Sequence, residues 1–172
     1  MKIKTGIGID AHKFVEGRPL IVGGINIPFE KGLDGHSDAD VLIHAIIDSL
    51  AGVCLGKDIG HLFPDTDEEF KGIDSKILLK RTIQVIRNSN YAINNIDCEI
   101  VGERPKFKPF IDKMRETLAQ VMKIDVQDIT IKATTTEKMG FTGREEGLLA
   151  VAVSTVVSLS QEEIHTHGFH NP

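Results

Sequence analysis

Two short stretches carry the side chains most able to do chemistry. One is Asp10-Ala-His12; the other is Gly35-His-Ser-Asp-Ala-Asp-Val-Leu-Ile-His44. In an extended chain, side chains two apart point the same way, so Asp10 and His12 can converge on one point. A loop carboxylate beside a surface histidine has the same sequence. Ser37 and Asp40 fit the [ST]-x-x-[DE] signature of a helix start. With Ser37 as N-cap, Asp40 and His44 lie one turn apart on one face. Val41, Leu42, Ala45, Ile46 and Leu50 then form the buried stripe. His36 stands just before the cap, where free N–H groups and the helix dipole attract an anion such as phosphate. Taken alone, Ser37 and Asp40 also read as plain caps, and His44 as a packed core histidine.

These groups need elements to hold them. Residues 2–9, with Ile3, Ile7 and Ile9 among polar or small residues, read as a strand that delivers Asp10 and His12 at its end. Leu20 to Phe29 form a hairpin bent at Gly23-Gly24. The helix of the second stretch runs to near Val53. A carboxylate-rich loop follows, Asp58 to Asp67, broken by Gly60 and Pro64. A second helix is expected from Ser75 to Asn88, burying Ile77, Leu78, Thr82, Val85 and Ile86. Ile93 to Val101 is a strand alternating Ile96, Cys98 and Ile100. Gly102 to Lys108 is a turn with three cations, followed by a helix from Pro109 to Met122 and a strand from Ile129 to Ala133. Thr134 to Arg144 is a loop with one short helical turn, and Leu148 to Val157 is a buried last strand. The order β-β-α-α-β-α-β-β predicts an α/β (α+β) sandwich, with a mixed sheet and helices packed on one face.

The chain has 172 residues, a net charge of −5 and 41% hydrophobic residues. Length and composition suit one globular domain over 1–160, with 161–172 a polar, disordered tail bearing His165, His167 and His170. The acidic balance argues against nucleic-acid binding, which needs a basic face. No stretch is long enough for a membrane span, and the N-terminus leads directly into strand-like sequence without room for a leader peptide. Cys54 and Cys98 form no motif and read as reduced core residues of an intracellular, cytoplasmic protein.

Six segments appear in order: Gly-Ile-Asp10-Ala-His12, Gly-Gly24-Ile-Asn-Ile-Pro, His36 to His44, Asp58 to Asp67, Arg-Pro-Lys106, and Lys-Ala-Thr-Thr-Thr-Glu-Lys-Met-Gly-Phe-Thr-Gly-Arg144. Together they resemble the 2-C-methyl-D-erythritol 2,4-cyclodiphosphate synthases of non-mevalonate isoprenoid biosynthesis, over about residues 3 to 158. The resemblance implies intramolecular phosphoryl transfer. The 2-phosphate of 4-diphosphocytidyl-2-C-methyl-D-erythritol 2-phosphate attacks the β-phosphorus, and CMP leaves. It implies zinc on Asp10, His12 and His44, with an open fourth position, and Asp40 as a supporting or capping group. It implies magnesium or manganese on Glu137, bridging the diphosphate. His36 and Thr135 would stabilise transition-state charge, and Ser37 would position a phosphate.

By the same resemblance, Asp58, Ile59, Gly60 and the run Phe63, Pro64, Asp65, Thr66, Asp67 meet ribose and erythritol. Gly102, Glu103, Arg104, Pro105, Lys106, Phe107 and Lys108, with Ala133, Thr134 and Thr136, surround cytosine and the phosphates. Arg144 would meet diphosphate charge. Family members are homotrimers with sheets toward the three-fold axis and active sites at subunit interfaces. Phe141, Arg144 and Glu146 match their central cavity, where an isoprenoid diphosphate is the expected ligand. Two alternatives share much of this sequence pattern: a metal-dependent phosphohydrolase on the same scaffold, and a non-enzymatic trimer binding isoprenoid diphosphates.

Overall fold

A computed structural model describes residues 1–64 and 66–159. Five strands form one sheet in the order β4-β1-β7-β5-β6. Their spans are β1 Lys2–Val15, β4 Gly32–Leu33, β5 Tyr91–Val101, β6 Ile129–Thr134 and β7 Gly147–Ser158. All neighbours are antiparallel except β5 and β6, so the sheet is mixed, as expected. A separate hairpin joins β2 (Leu20–Val22) to β3 (Ile25–Ile27). Gly23 and Gly24, both at positive φ, make its turn. Two consecutive left-handed residues are what a two-residue hairpin of matching twist demands.

The main helices are α1 (Val41–Leu55), α3 (Ser75–Asn88) and α4 (Ile111–Met122); α2 (Ile59–Leu62) and α5 (Gly140–Gly143) are single turns. Helix α1 lies across β1 and β7. Its stripe Val41, Leu42, Ala45, Ile46 and Leu50 is fully buried, and so are Ile96 and Ile100 opposite. The last strand is the centre of the sheet, paired with β1 on one edge and β5 on the other.

Four expectations need correcting. Strand β1 runs six residues beyond Ile9, because β7 pairs with it through Lys13↔Gly147. Asp10 and His12 therefore sit inside a strand. Helix α1 begins three residues later than expected, with Asp40 as N-cap accepting from the Ile43 N–H. Ser37 Oγ takes the Ala39 N–H, in the loop before the helix. On α3, Ile77 and Val85 are exposed. The buried row is Ser75, Leu78, Leu79, Thr82, Ile83 and Ile86, about one position round the helix from the expected one. The Asp58–Asp67 segment also holds α2, and a 3-10 turn follows it at Glu68–Phe70.

The two faces of β1 are unlike. Gly6 and Gly8 face α1 so closely that a Cβ would meet Ser49 O at 2.2 Å and Ala45 O at 2.0 Å. Ile3, Ile7 and Ile9 point the other way and are 62%, 63% and 58% exposed. The even-numbered side of the strand thus lets the helix approach, and it also carries Asp10 and His12.

Candidate metal centre and flanking clefts

Close approach of α1 to β1 brings His44 over the strand. His12 Nε2 lies 2.9 Å and His44 Nδ1 3.1 Å from Asp10 Oδ2, and the two ring nitrogens are 3.1 Å apart. No other group of three such side chains converges in this way among the described residues. Neighbouring ligands of a tetrahedral zinc, at about 2.0–2.2 Å from the ion, lie about 3.3–3.6 Å apart. The three atoms need only spread by a few tenths of an ångström, so the residues fit a divalent cation.

The outer nitrogens of both rings are held. His12 Nδ1 donates to Asp34 O at 2.6 Å, leaving Nε2 to face Asp10. His44 Nε2 is 3.0 Å from Ser75 Oγ and 3.1 Å from Ser37 Oγ. Holding a ligand histidine by its second nitrogen orients the ring and fixes its tautomer. Burial pushes the Asp10 carboxyl up, but the His12 and His44 imidazoles set against it outweigh burial, and the group ends well below the usual carboxylate range. Burial likewise pushes His12 down, while the Asp10 hydrogen bond and charge lift it above the usual imidazole value. A ligand set with one assured negative charge results.

Asp40 does not turn toward this centre. It is wholly buried and accepts from the N–H groups of Gly23 (3.0 Å), Gly24 (2.6 Å) and Ile43 (3.0 Å). The carboxylate therefore staples the hairpin to the start of α1.

The triad forms the floor of a cleft of about 230 Å³, walled by His36, Ser37, Ile59, Gly60, Phe63, Phe70 and Leu78. Asp58 caps α2, and its Oδ1 accepts both the N–H and Nδ1 of His61. Pro64 and Thr66 follow, exposed, and Asp67 caps the 3-10 turn. Asp65 and the tail histidines lie outside the described residues.

A second cleft, about 120 Å³, is lined by Gly102, Pro105, Lys106, Phe107, Lys108, Ala133, Thr134 and Thr135. The two clefts have no lining residue in common. Glu103 and Arg104 belong to the same turn but are engaged elsewhere. Glu103 Oε1 accepts the Lys138 N–H at 2.9 Å, while Arg104 pairs with Glu30 and Glu145 and covers the Phe29 ring. Glu137 is exposed at positive φ and takes the Thr135 hydroxyl at 2.7 Å. Thr136 is tied to Met139 O and Thr142, and Arg144 to Glu146. Phe141 is 39% exposed beside them.

Sequence reasoning passed over four residues that shape the first cleft. Arg18 donates to the carbonyls of Gly35 and Ser37, and Asp34 holds His12. Asp38 and Ser75 stand behind His44. The one available signal was Ser75 at a helix start; Arg18 and Asp34 act through backbone carbonyls, and Asp38 through the Ser75 hydroxyl, which only the fold brings near.

A 2-C-methyl-D-erythritol 2,4-cyclodiphosphate synthase of Bacteroides fragilis is 60% identical over 152 residues, 88% of this chain and 96% of that one. The bifunctional IspDF of Campylobacter jejuni matches with a TM-score of 0.89 and 40% identity, over 92% of this chain and 43% of that one. The CDP complex of Plasmodium falciparum IspF matches with a TM-score of 0.79 and 31% identity, over 92% and 97%. Residues 3–157 match the YgbB family, and the chain belongs to that family.

Proposed function

We propose that residues 1–160 form one cyclodiphosphate synthase domain. It converts 4-diphosphocytidyl-2-C-methyl-D-erythritol 2-phosphate into 2-C-methyl-D-erythritol 2,4-cyclodiphosphate and CMP. The observation that carries this reading is the meeting of Asp10, His12 and His44 on the floor of a cleft walled by His36, Ser37 and Ile59–Gly60. Zinc held by the three would supply a Lewis acid for a phosphate oxygen.

The rest falls to the chain's own groups. The attacking phosphate is already an anion, so no strong general base is needed. What must be supplied is geometry, since two anionic phosphates have to approach in line. Pre-ordering of this kind is worth about 7–11 kcal/mol in favourable intramolecular cases. His36 offers a donor at the cleft wall for charge that spreads in the transition state, and Ser37 one that positions a phosphate. Asp58 gives Oδ1 to His61 and leaves Oδ2 for a sugar hydroxyl. Asp58 through Asp67 thus hold ribose and erythritol, and the second cleft takes cytosine through the backbone of Gly102 to Lys108 and Ala133-Thr134. Thr135 adds a phosphate donor. Glu137 would offer one carboxylate to a magnesium or manganese ion, which would offset the charge of the diphosphate.

Two features support a homotrimer with sheets toward the three-fold axis. The outer sheet face carries an apolar patch: Ile3, Ile7 and Ile9 stand opposite Val157, Val153 and Val151. Such a face calls for a partner. The separation of the two clefts in one chain fits active sites completed across subunit boundaries. Phe141, Arg144 and Glu146 would then approach the axis, where an isoprenoid diphosphate would bind.

Incubation with the diphosphocytidyl substrate, followed by phosphorus NMR, tests the reaction. A cyclic diphosphate and CMP are expected. An open phosphate product would instead indicate a hydrolase, and unchanged substrate would refute both.

A further inference from the structure

We propose that Asp38, acting through Ser75, is the positioning residue that selects the metal-binding tautomer of His44; the proposal rests on the metal-centre reading above. Two hydroxyls compete for His44 Nε2, Ser75 Oγ at 3.0 Å and Ser37 Oγ at 3.1 Å. A hydroxyl can either donate or accept. Ser75 has no choice, because its proton goes to Asp38 Oδ1, and a carboxylate only accepts. Ser75 must therefore meet His44 as an acceptor. Nε2 then carries the ring hydrogen, and Nδ1 turns a bare lone pair toward Asp10 Oδ2 and His12 Nε2, each 3.1 Å away.

Ser37 pulls the opposite way. Its oxygen already accepts the Ala39 N–H at 3.1 Å, and its own proton is available to Nε2. Donation from Ser37 would move the ring hydrogen to Nδ1, into the space meant for the cation. Asp38 decides the contest by removing the Ser75 proton from it. Asp38 is itself locked in place: Oδ2 accepts the Ser75 N–H at 3.1 Å and Oδ1 the Asp40 N–H at 3.2 Å. Ser75 is fully buried and Ser37 only 6% exposed, so bulk water has little part in the choice.

The test uses nitrogen-15-labelled full-length protein, stripped by chelator, at about pH 8.5, roughly two units above the ordinary imidazole value. Long-range proton–nitrogen correlation reads the His44 tautomer without metal. The wild type should show hydrogen on Nε2, Ser75→Ala a shift toward Nδ1, and Ser75→Thr the wild-type state. Zinc affinity, by competition with a chromophoric chelator, should fall about 10–100-fold in Ser75→Ala and recover in Ser75→Thr. Asp38→Ala should weaken zinc in the wild-type background and add nothing in the Ser75→Ala background. Wild-type protein with hydrogen on Nδ1, or folded Ser75→Ala with unchanged tautomer and affinity, would overturn the proposal. So would an Asp38→Ala effect equal in both backgrounds. Wild-type protein that binds no zinc would sink the metal-centre reading instead, while the tautomer measurement still judges this one.

Discussion

A capping carboxylate is normally half in water; Asp40 is wholly out of it, shared among three backbone N–H groups. Burial pushes its carboxyl up to about 6, against the pull of those donors and with the charge of Asp38 adding to the rise. Between the unfolded value of about 3.9 and this folded value, the native state holds a proton that the unfolded chain has lost. Stability contributed by that proton is complete below the window and drains away as pH rises through it, by at most about 3 kcal/mol. Asp10 has the opposite sign, since its lowered carboxyl costs stability only as pH falls below the usual carboxylate range. Urea midpoints of chelated protein, measured from pH 4 to 7, should decline more steeply in wild type than in Asp40→Asn. At the metal centre, His44→Ala should abolish zinc uptake and turnover while circular dichroism stays native. Metal analysis is best done with His165, His167 and His170 also replaced by Ala, so that the tail adds no ligands.

At the level of elements, the approach of α1 to β1 is what assembles the triad, and two glycines permit it. Gly8→Ala puts a methyl group 2.0 Å from the Ala45 carbonyl oxygen, and backbone cannot yield as a side chain would. The expected loss is about 1–3 kcal/mol, with zinc affinity falling too because His44 rides on the displaced helix. Gly52, on the open side of the same helix, meets nothing within 4 Å. Gly52→Ala should be neutral or stabilising by up to about 1 kcal/mol. Thermal or urea denaturation of the pair separates helix docking from helix propensity.

The same elements show what the sequence made legible. The Gly23-Gly24 turn and α3 from Ser75 to Asn88 could be read off directly, because the signals are local: paired glycines, a helix period and a stop. The direction of β1 could not. Its alternating isoleucines look like a core face, yet they turn outward, and the core-facing side is glycine, aspartate and histidine. Likewise Ser37 and Asp40 both suit a helix cap; the amides of Gly23 and Gly24, 16–17 residues upstream, decide for Asp40. The meeting of Asp10, His12 and His44 was expected through the family resemblance, whereas the roles of Arg18 and Asp38 depend on partners that only the folded chain supplies.

For the whole molecule, the proposed trimer turns on the outer sheet face. Ile7 is 63% exposed opposite Val153, amid further apolar side chains, while Asp97, Glu99 and Lys132 form a charged cluster farther across the sheet. Ile7→Glu should convert trimer to monomer in sedimentation-velocity runs, keep the zinc, and lose nearly all turnover. A trimer that persists with full activity would refute the assignment of this face to the three-fold axis.

Because the triad's cleft and the proposed nucleotide cleft share no lining residue in a single chain, damage to one need not spoil the other. A His44→Ala chain keeps a sound nucleotide half, and a Glu137→Ala chain keeps a sound zinc half. Each population alone should be inert. Refolded as a mixture, some interfaces would pair the two undamaged halves, and activity should return in proportion to how often unlike chains meet.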